Sequence, residues 1–306
     1  MNFVDFHVDT LYRLFYRAKG EVGDLWKNNC HIDLEREIAS GYTAQLFACF
    51  LDLAEKPKLG SSYEDVLGMI ELFYQQISAD KEKVGFAGNY AQYKENKEQG
   101  KLSAFLSLEE GGVLEGDLKR LNVLYDKGVR VMNLTWNHEN CLAYPHRPAE
   151  FRNKGLKPFG LETVQRMDEL GMVVDVSHLS DAGFWDVVRE VRNVSRNLSD
   201  EMIRALADRG GIMGLNFYSD FLSDDPVGRI DDMLRHCRHI MNVGGEQVLG
   251  LGTDFDGMET EIEVNGAGEM PKLAQAMDRA GFSTDQIEGI CYRNAERFFA
   301  RYWGEK

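Results

Sequence analysis

The amino-acid sequence predicts a single α/β domain over residues 1–306, folded as a (β/α)8 barrel of the TIM type. Short apolar runs alternate with helix-like segments along the whole chain, which is typical of a parallel sheet. Polar residues follow directly after the apolar runs, whereas no glycine-rich phosphate-binding turn follows the first run. No repeat or linker composition marks a domain boundary.

Seven apolar runs are predicted to form strands that are buried on both faces. They span residues 2–8, 43–50, 102–108, 129–135, 172–176, 211–217 and 247–252. Helical periodicity is found between and after them, over 61–80, 91–97, 118–127, 160–170, 181–191, 199–209, 227–243, 271–280 and 284–300.

One strand of the barrel is missing from the sequence near residues 191–195. A closed barrel of this type has eight strands, but residues 192–197 form a polar run between two predicted helices. Either the strand has been lost or a stretch of sequence was omitted. Omission is favoured because a loss leaves unpaired strand edges in a core. A Cα–Cα spacing of about 3.8 Å throughout 189–195 would indicate a continuous chain.

Composition excludes several classes of protein. Fifty acidic residues against 35 basic ones give a net charge of -15, which disfavours nucleic acid and anionic membranes as partners. The five cysteines form no CxxC pair, so neither a zinc ribbon nor a disulfide framework is expected. No apolar run reaches the roughly 18 residues of a membrane span, and the prediction is a cytoplasmic protein.

Candidate metal ligands stand at the ends of the predicted strands. His7 and Asp9 lie two apart, so they project to the same side of the first strand, where an imidazole and a carboxylate can bind one divalent cation. Glu110, His178 and Asp254 follow later strands, and barrel strands converge at their C-terminal ends. Of the two adjacent glutamates, Glu110 is preferred because it adjoins two glycines, whose small size lets a metal or substrate approach.

This donor set indicates a hydrolase. Three carboxylates and two or three imidazoles are more than one ion needs, and they suit two divalent ions about 3.5–4 Å apart that share a hydroxide. Asp254, after the last strand, is placed to orient that hydroxide and to pass its proton to a leaving amine. The expected reaction is hydrolysis of an amide, an ester or a related bond.

Motifs spread over nearly the whole chain carry a resemblance to a known family. They are Asp5-Phe-His7-Val-Asp9-Thr10, Glu110-Gly-Gly112, Gly128-Val-Arg130, Leu134-Thr-Trp-Asn137, Gly155-Leu-Lys-Pro-Phe-Gly160, Asp175-Val-Ser-His178-Leu-Ser180, Arg196-Asn-Leu-Ser-Asp200, Gly210-Gly-Ile, Asn216-Phe-Tyr218 and Gly252-Thr-Asp254-Phe-Asp-Gly257. In this order they resemble the membrane (renal) dipeptidase family, in particular its bacterial zinc dipeptidases.

The resemblance implies a site with two zinc ions that cleaves dipeptides, including those with a D-residue at the C-terminal position. His7 and Asp9 would hold the first ion, Glu110 would bridge the two ions, and His178 would bind the second. Asp254 would act as the acid–base. The family also suggests a homodimer.

The same resemblance suggests residues that bind the substrate. Arg196 would hold the substrate carboxylate, because the guanidinium fork is bidentate, and Tyr218 would also contact the substrate. His138 is the candidate for the histidine that contacts the scissile region, because Trp136 occupies that position of the motif.

Two alternatives remain open at this point. One is a barrel hydrolase that acts on another amide, an ester or a lactone. The other is a catalytically impaired homologue without the second metal site, because the missing strand carries the second histidine of that site in the family.

Overall fold

The structure is a computed structural model that describes residues 1–17, 22–190 and 198–304. Its centre is a curled parallel sheet with the strand order β6-β5-β4-β2-β1-β9-β7, and β3 pairs with the first half of β4. The strands are β1 Phe3–Val8, β2 Tyr42–Phe50, β3 Val84–Phe86, β4 Leu102–Glu109, β5 Val129–Asn133, β6 Val173–Asp175, β7 Met213–Leu215, β8 Val227–Gly228, β9 Leu249–Leu251 and β10 Glu261–Ile262.

The seven predicted strands all occur and lie side by side, which confirms the parallel α/β fold of barrel type. Three short strands were not predicted: β3 joins the edge of β4, whereas β8 and β10 form a separate pair. The predicted gap near 191–195, together with its Cα spacing, falls outside the described residues. The single domain over 1–306 stays a prediction.

Helices surround the sheet and follow most strands, as the sequence periodicity predicts. They are α1 Thr10–Tyr16, α2 Leu34–Ser40, α3 Ser62–Ala79, α4 Tyr90–Glu98, α5 Leu118–Asp126, α6 Pro158–Leu170, α7 Asp181–Glu190, α8 Asp200–Arg209, α9 Ser219–Leu222, α10 Ile230–Gly244, α11 Met270–Arg279, α12 Thr284–Glu288 and α13 Asn294–Trp303. Within the described residues, no helix has the length and apolar character needed to cross a bilayer.

Apolar side chains fill the inside of the curled sheet. Val4, Leu46 and Phe105 point inward from β1, β2 and β4 and are fully buried. Phe299 of α13 packs against Phe105 with ring centroids 5.0 Å apart. The C-terminal helix therefore covers the apolar end of the sheet interior, and the polar residues lie at the C-terminal ends of the strands.

One buried carboxyl group in the layer between sheet and helices has no hydrogen-bond partner. Glu37 of α2 is fully buried, and neither of its side-chain oxygens is hydrogen-bonded by a described residue. Burial, followed by the nearby Asp5, Asp33 and Asp256, raises the pKa of Glu37 well above its usual value, although Arg36 opposes this. Glu37 is therefore held in the protonated form.

Candidate metal centre

The imidazole of His7 lies among three carboxylates at the C-terminal end of β1. Its Nε2 atom is 3.0 Å from Glu109 Oε2, 3.3 Å from Asp9 Oδ2 and 3.7 Å from Asp254 Oδ1. Nε2 is buried and makes no well-aligned hydrogen bond to any of them, and Asp9 Oδ1 is likewise without a hydrogen-bond partner among the described residues. Buried polar atoms are normally paired, so these atoms are arranged for a cation.

The ends of β1 and β9 are joined beyond the sheet ladder, which brings His7 and Asp9 to Asp254. The Asp254 N–H donates to the His7 carbonyl at 3.2 Å, and the Asp9 N–H donates to the Phe255 carbonyl at 2.9 Å. Backbone hydrogen bonds therefore join the two chain segments, and they hold candidate metal ligands from both segments close together. One ligand atom each from His7, Asp9 and Asp254 lie within 4.8 Å of one another.

Glu109 is the glutamate that lies between the two imidazoles. It is the last residue of β4, it is buried, and its Oε1 is 3.3 Å from His178 Nε2 while its Oε2 faces His7. A carboxylate in this position contacts both of the histidines that the sequence singles out. Sequence reasoning missed Glu109 and selected its neighbour.

Glu110, the residue selected from the sequence, turns away from both histidines and caps the next turn. Its carboxylate accepts hydrogen bonds from the Gly112 N–H at 3.0 Å, the Trp136 N–H at 3.0 Å and Asn140 Nδ2 at 2.9 Å. A Cβ on Gly112 would lie 2.3 Å from Glu110 Oε1, so the glycine makes room for this carboxylate and not for a metal. The structure thus replaces Glu110 with Glu109 as the glutamate of the site.

His178 and Asp254 reach the site from backbone conformations that are unusual for residues with a side chain. Their φ angles are 64° and 65°, in the left-handed region. Asp254 Oδ2 accepts a hydrogen bond from Asn216 Nδ2 at 2.9 Å, and His178 Nδ1 is 3.3 Å from Asn137 Oδ1. Both side chains are therefore oriented by an amide from a neighbouring loop.

The ionisable groups of the site are buried and close together, so each affects the pKa of its neighbours. Burial raises the pKa of Asp9 to about 7. Burial alone would lower the pKa of His7, but Asp9 and Glu109 raise it well above its usual value. For Glu109, burial is outweighed by His7 and His178, which hold its pKa well below the usual range. The His7 nitrogen therefore lies in an acidic environment, where a divalent cation can compete with a proton for the same donors.

The residues predicted to bind substrate are less closely grouped. His138 Nε2 lies 3.1 Å from Asp52 Oδ1 at the rim, beside the ring of Trp136. Trp136 in turn faces His178, with ring centroids 6.3 Å apart. Tyr218 lies directly before α9 and donates its hydroxyl to Asp220 Oδ2 at 3.0 Å. Arg196 lies outside the described residues.

The fold and this cluster of imidazoles and carboxylates define a metal-dependent hydrolase of barrel type. The model of the membrane dipeptidase family (peptidase family M19) matches residues 1–302. The chain belongs to the membrane dipeptidase family, which confirms the resemblance found in the sequence and supports metal-dependent hydrolysis of dipeptides as its activity.

Individual relatives are distant in sequence but similar in length and fold. An uncharacterized dipeptidase of Schizosaccharomyces pombe is 26% identical, with 97% of this chain and 80% of that protein covered. The crystal structure of a metallopeptidase of family M19, dipeptidase AC, has a TM-score of 0.90 and 24% identity, with 100% of this chain and 99% of that chain covered. A metallopeptidase from Rhodobacter sphaeroides, liganded with a phosphinate mimic of the dipeptide L-Ala-D-Ala, has a TM-score of 0.88 and 22% identity, over 98% and 100% of the two chains.

Proposed function

We propose that this chain hydrolyses the peptide bond of dipeptides with a zinc ion held by His7, Asp9 and Glu109, and that Asp254 is the acid–base. The observation that carries the proposal is the buried His7 Nε2, which has three carboxylates within 3.7 Å and no aligned hydrogen bond. Imidazole nitrogens and carboxylate oxygens are among the ligands that bind Zn²⁺ in proteins. When bound, such an ion polarises the scissile carbonyl and acidifies a water molecule.

Asp254 has the position that proton transfer requires. Its Oδ1 lies 3.7 Å from His7 Nε2, at the edge of the metal position, while Oδ2 accepts a hydrogen bond from Asn216 Nδ2 at 2.9 Å. The amide fixes the carboxylate in one orientation, with Oδ1 directed toward the metal position. We infer that Oδ1 takes a proton from the attacking water and delivers it to the leaving amine.

The substrate is proposed to be a dipeptide that enters from the C-terminal ends of the strands. The Rhodobacter sphaeroides relative was crystallised with a mimic of L-Ala-D-Ala, and we extend to this chain a tolerance for a D-residue at the C-terminal position. Phe50 and Trp136, with ring centroids 5.0 Å apart, offer an apolar wall for a side chain. Arg196, Tyr218 and His138 remain the proposed contacts for the rest of the substrate.

A pair of adjacent glutamates supplies a matched test. Glu109→Gln removes a charged donor, so we expect the purified protein to lose its bound zinc and its dipeptidase activity. Glu110→Gln removes one of the two acceptor oxygens of the turn, but it leaves every group that faces His7 in place, so we expect it to retain the metal. Metal content is measured by plasma mass spectrometry, and hydrolysis is measured on a panel of L,L- and L,D-dipeptides.

Three results would contradict the proposal. If the zinc-loaded protein turned over no dipeptide but cleaved an ester or a lactone, the substrate assignment would be wrong. If Glu110→Gln lost the metal and Glu109→Gln did not, the ligand assignment would be wrong. Full activity of the Asp254→Asn variant would refute its acid–base role.

A further inference from the structure

The two metal positions that the family resemblance implies are not equally provided with donors in this chain. We propose that the protein retains one divalent ion, at the position formed by His7, Asp9 and Glu109, and that the second position, at His178, does not retain an ion. The inference rests on the metal site of the proposed function. It goes beyond that site because it concerns the number of ions and not the reaction.

The first position has a full set of protein donors. His7 Nε2 and carboxylate oxygens of Asp9, Glu109 and Asp254 converge within 3.7 Å of that nitrogen. Gly257 completes the pocket, because a Cβ there would lie 2.1 Å from Asp9 Oδ2 and 3.0 Å from Asp254 Oδ1. Three or four protein donors are what tightly bound zinc has in hydrolases.

Among the described residues, two protein donors form the second position. They are His178 Nε2 and Glu109 Oε1, 3.3 Å apart. The orientation of His178 resembles that of a metal ligand, because its other ring nitrogen faces Asn137 Oδ1 at 3.3 Å. However, no second imidazole reaches it from any described part of the chain.

The remaining histidines of the sequence are accounted for elsewhere. The chain has seven histidines, and all of them fall within the described residues. Besides His7 and His178, they contact the following groups: His31 the Asp256 carboxylate, His138 Asp52, His146 Asp181, His236 the Leu222 carbonyl and His239 Asp200. By sequence, residues 191–197 contain no histidine, cysteine, aspartate or glutamate. The stretch supplies no strong zinc ligand, so the second position lacks its donor where the eighth strand is lost and not omitted.

The loss of donors from a metal position lowers its affinity steeply. Even changes to groups that only orient the ligands cost about 10–100-fold in metal affinity, and the absence of a ligand itself costs more. We therefore expect the second equivalent of metal to bind at least about 100-fold more weakly than the first. After gel filtration at micromolar protein and without added metal, one ion per chain remains.

The experiment titrates the metal-free protein with Zn²⁺ against a chromophoric chelator and follows the same samples by isothermal calorimetry. The expected result is one tight equivalent and a second, much weaker phase. His178→Asn should remove the weak phase and keep the tight equivalent, whereas His7→Asn should remove the tight equivalent. His239→Asn, a change at an exposed histidine, serves as the control, and circular dichroism verifies that each variant is folded.

Two equivalents of similar affinity, or loss of the tight equivalent in His178→Asn, would overturn the inference. Dipeptide hydrolysis measured at one equivalent of Zn²⁺ separates it from the proposed function. If one ion is retained but no dipeptide is cleaved at any zinc concentration, the proposed function fails and the inference stands. If dipeptides are cleaved and two ions are retained equally, the inference fails and the proposed function stands.

Discussion

Replacement of Gly257 by alanine should damage the metal centre without disturbing the fold. The new Cβ would lie 2.1 Å from Asp9 Oδ2 and 3.0 Å from Asp254 Oδ1, so the Asp9 carboxylate must move by about 1 Å to restore ordinary contact. Gly257 is not among the residues with positive φ, and its backbone therefore accepts an alanine. A shift of 1 Å in a positioned group costs on the order of 100-fold in rate.

We therefore expect Gly257→Ala to lower kcat/KM for a dipeptide by about 100-fold, equivalent to ~2.7 kcal/mol of transition-state stabilisation. Zinc content should fall in parallel, because Asp9 is a proposed ligand. Gly268→Ala is the matched control, since its Cβ would meet no atom within 4 Å and its φ is also not positive. Wild-type zinc content and wild-type kcat/KM in Gly257→Ala, with an unchanged melting temperature, would refute the argument.

Three further predictions concern stability. Glu37→Gln should be more stable than the wild type at neutral pH. The raised pKa keeps Glu37 protonated in the folded protein, whereas the same group ionises in the unfolded chain above about pH 4.5. The difference in the free energy of unfolding should therefore grow by about 1.4 kcal/mol per pH unit above that pH. Urea unfolding between pH 5 and pH 8 tests this against exposed Glu35→Gln, and a pH-independent difference would contradict it. Thr10→Val breaks the buried 2.6 Å hydrogen bond to Asp256 Oδ2 and should cost about 1–3 kcal/mol in the same assay, whereas no loss would show that the bond is dispensable. Removal of zinc with a chelator should lower the melting temperature by several degrees. Free metal at a concentration of 100 times Kd adds about 2.7 kcal/mol to the free energy of unfolding, and the chelator removes this contribution. An unchanged melting temperature would argue against a tight site.

Much of the fold follows from the sequence because the seven principal strands are apolar runs bounded by polar residues. The short strands β3, β8 and β10 could not be predicted in the same way. They have three residues or fewer, and what defines them is a neighbouring strand, such as β4 beside Val84–Phe86. A pairing partner that is distant in sequence leaves no periodic signal.

The geometry of the candidate site can be compared with the residues that the sequence singled out. His7, Asp9, His178 and Asp254 were identified from their places after strands, and the structure brings them together. Glu109 was missed because the adjacent glycines favoured Glu110.

The alternation of β4 could have identified Glu109. Phe105, Ser107 and Glu109 lie two apart and share one face, and Phe105 is buried in the interior of the curled sheet. By contrast, the contacts of Gly257 and Asn216 with the carboxylates join different loops, and no local pattern reveals them.

The left-handed backbone at His178 and Asp254 places function and stability in direct opposition. Their φ angles are 64° and 65°, a region that glycine occupies without strain and that costs other residues about 1–3 kcal/mol. A selection for thermal stability alone would therefore favour glycine at these two turns. The same selection would remove the imidazole and the carboxylate that the proposed chemistry uses, so stabilised variants of this chain should be screened for activity first at these positions.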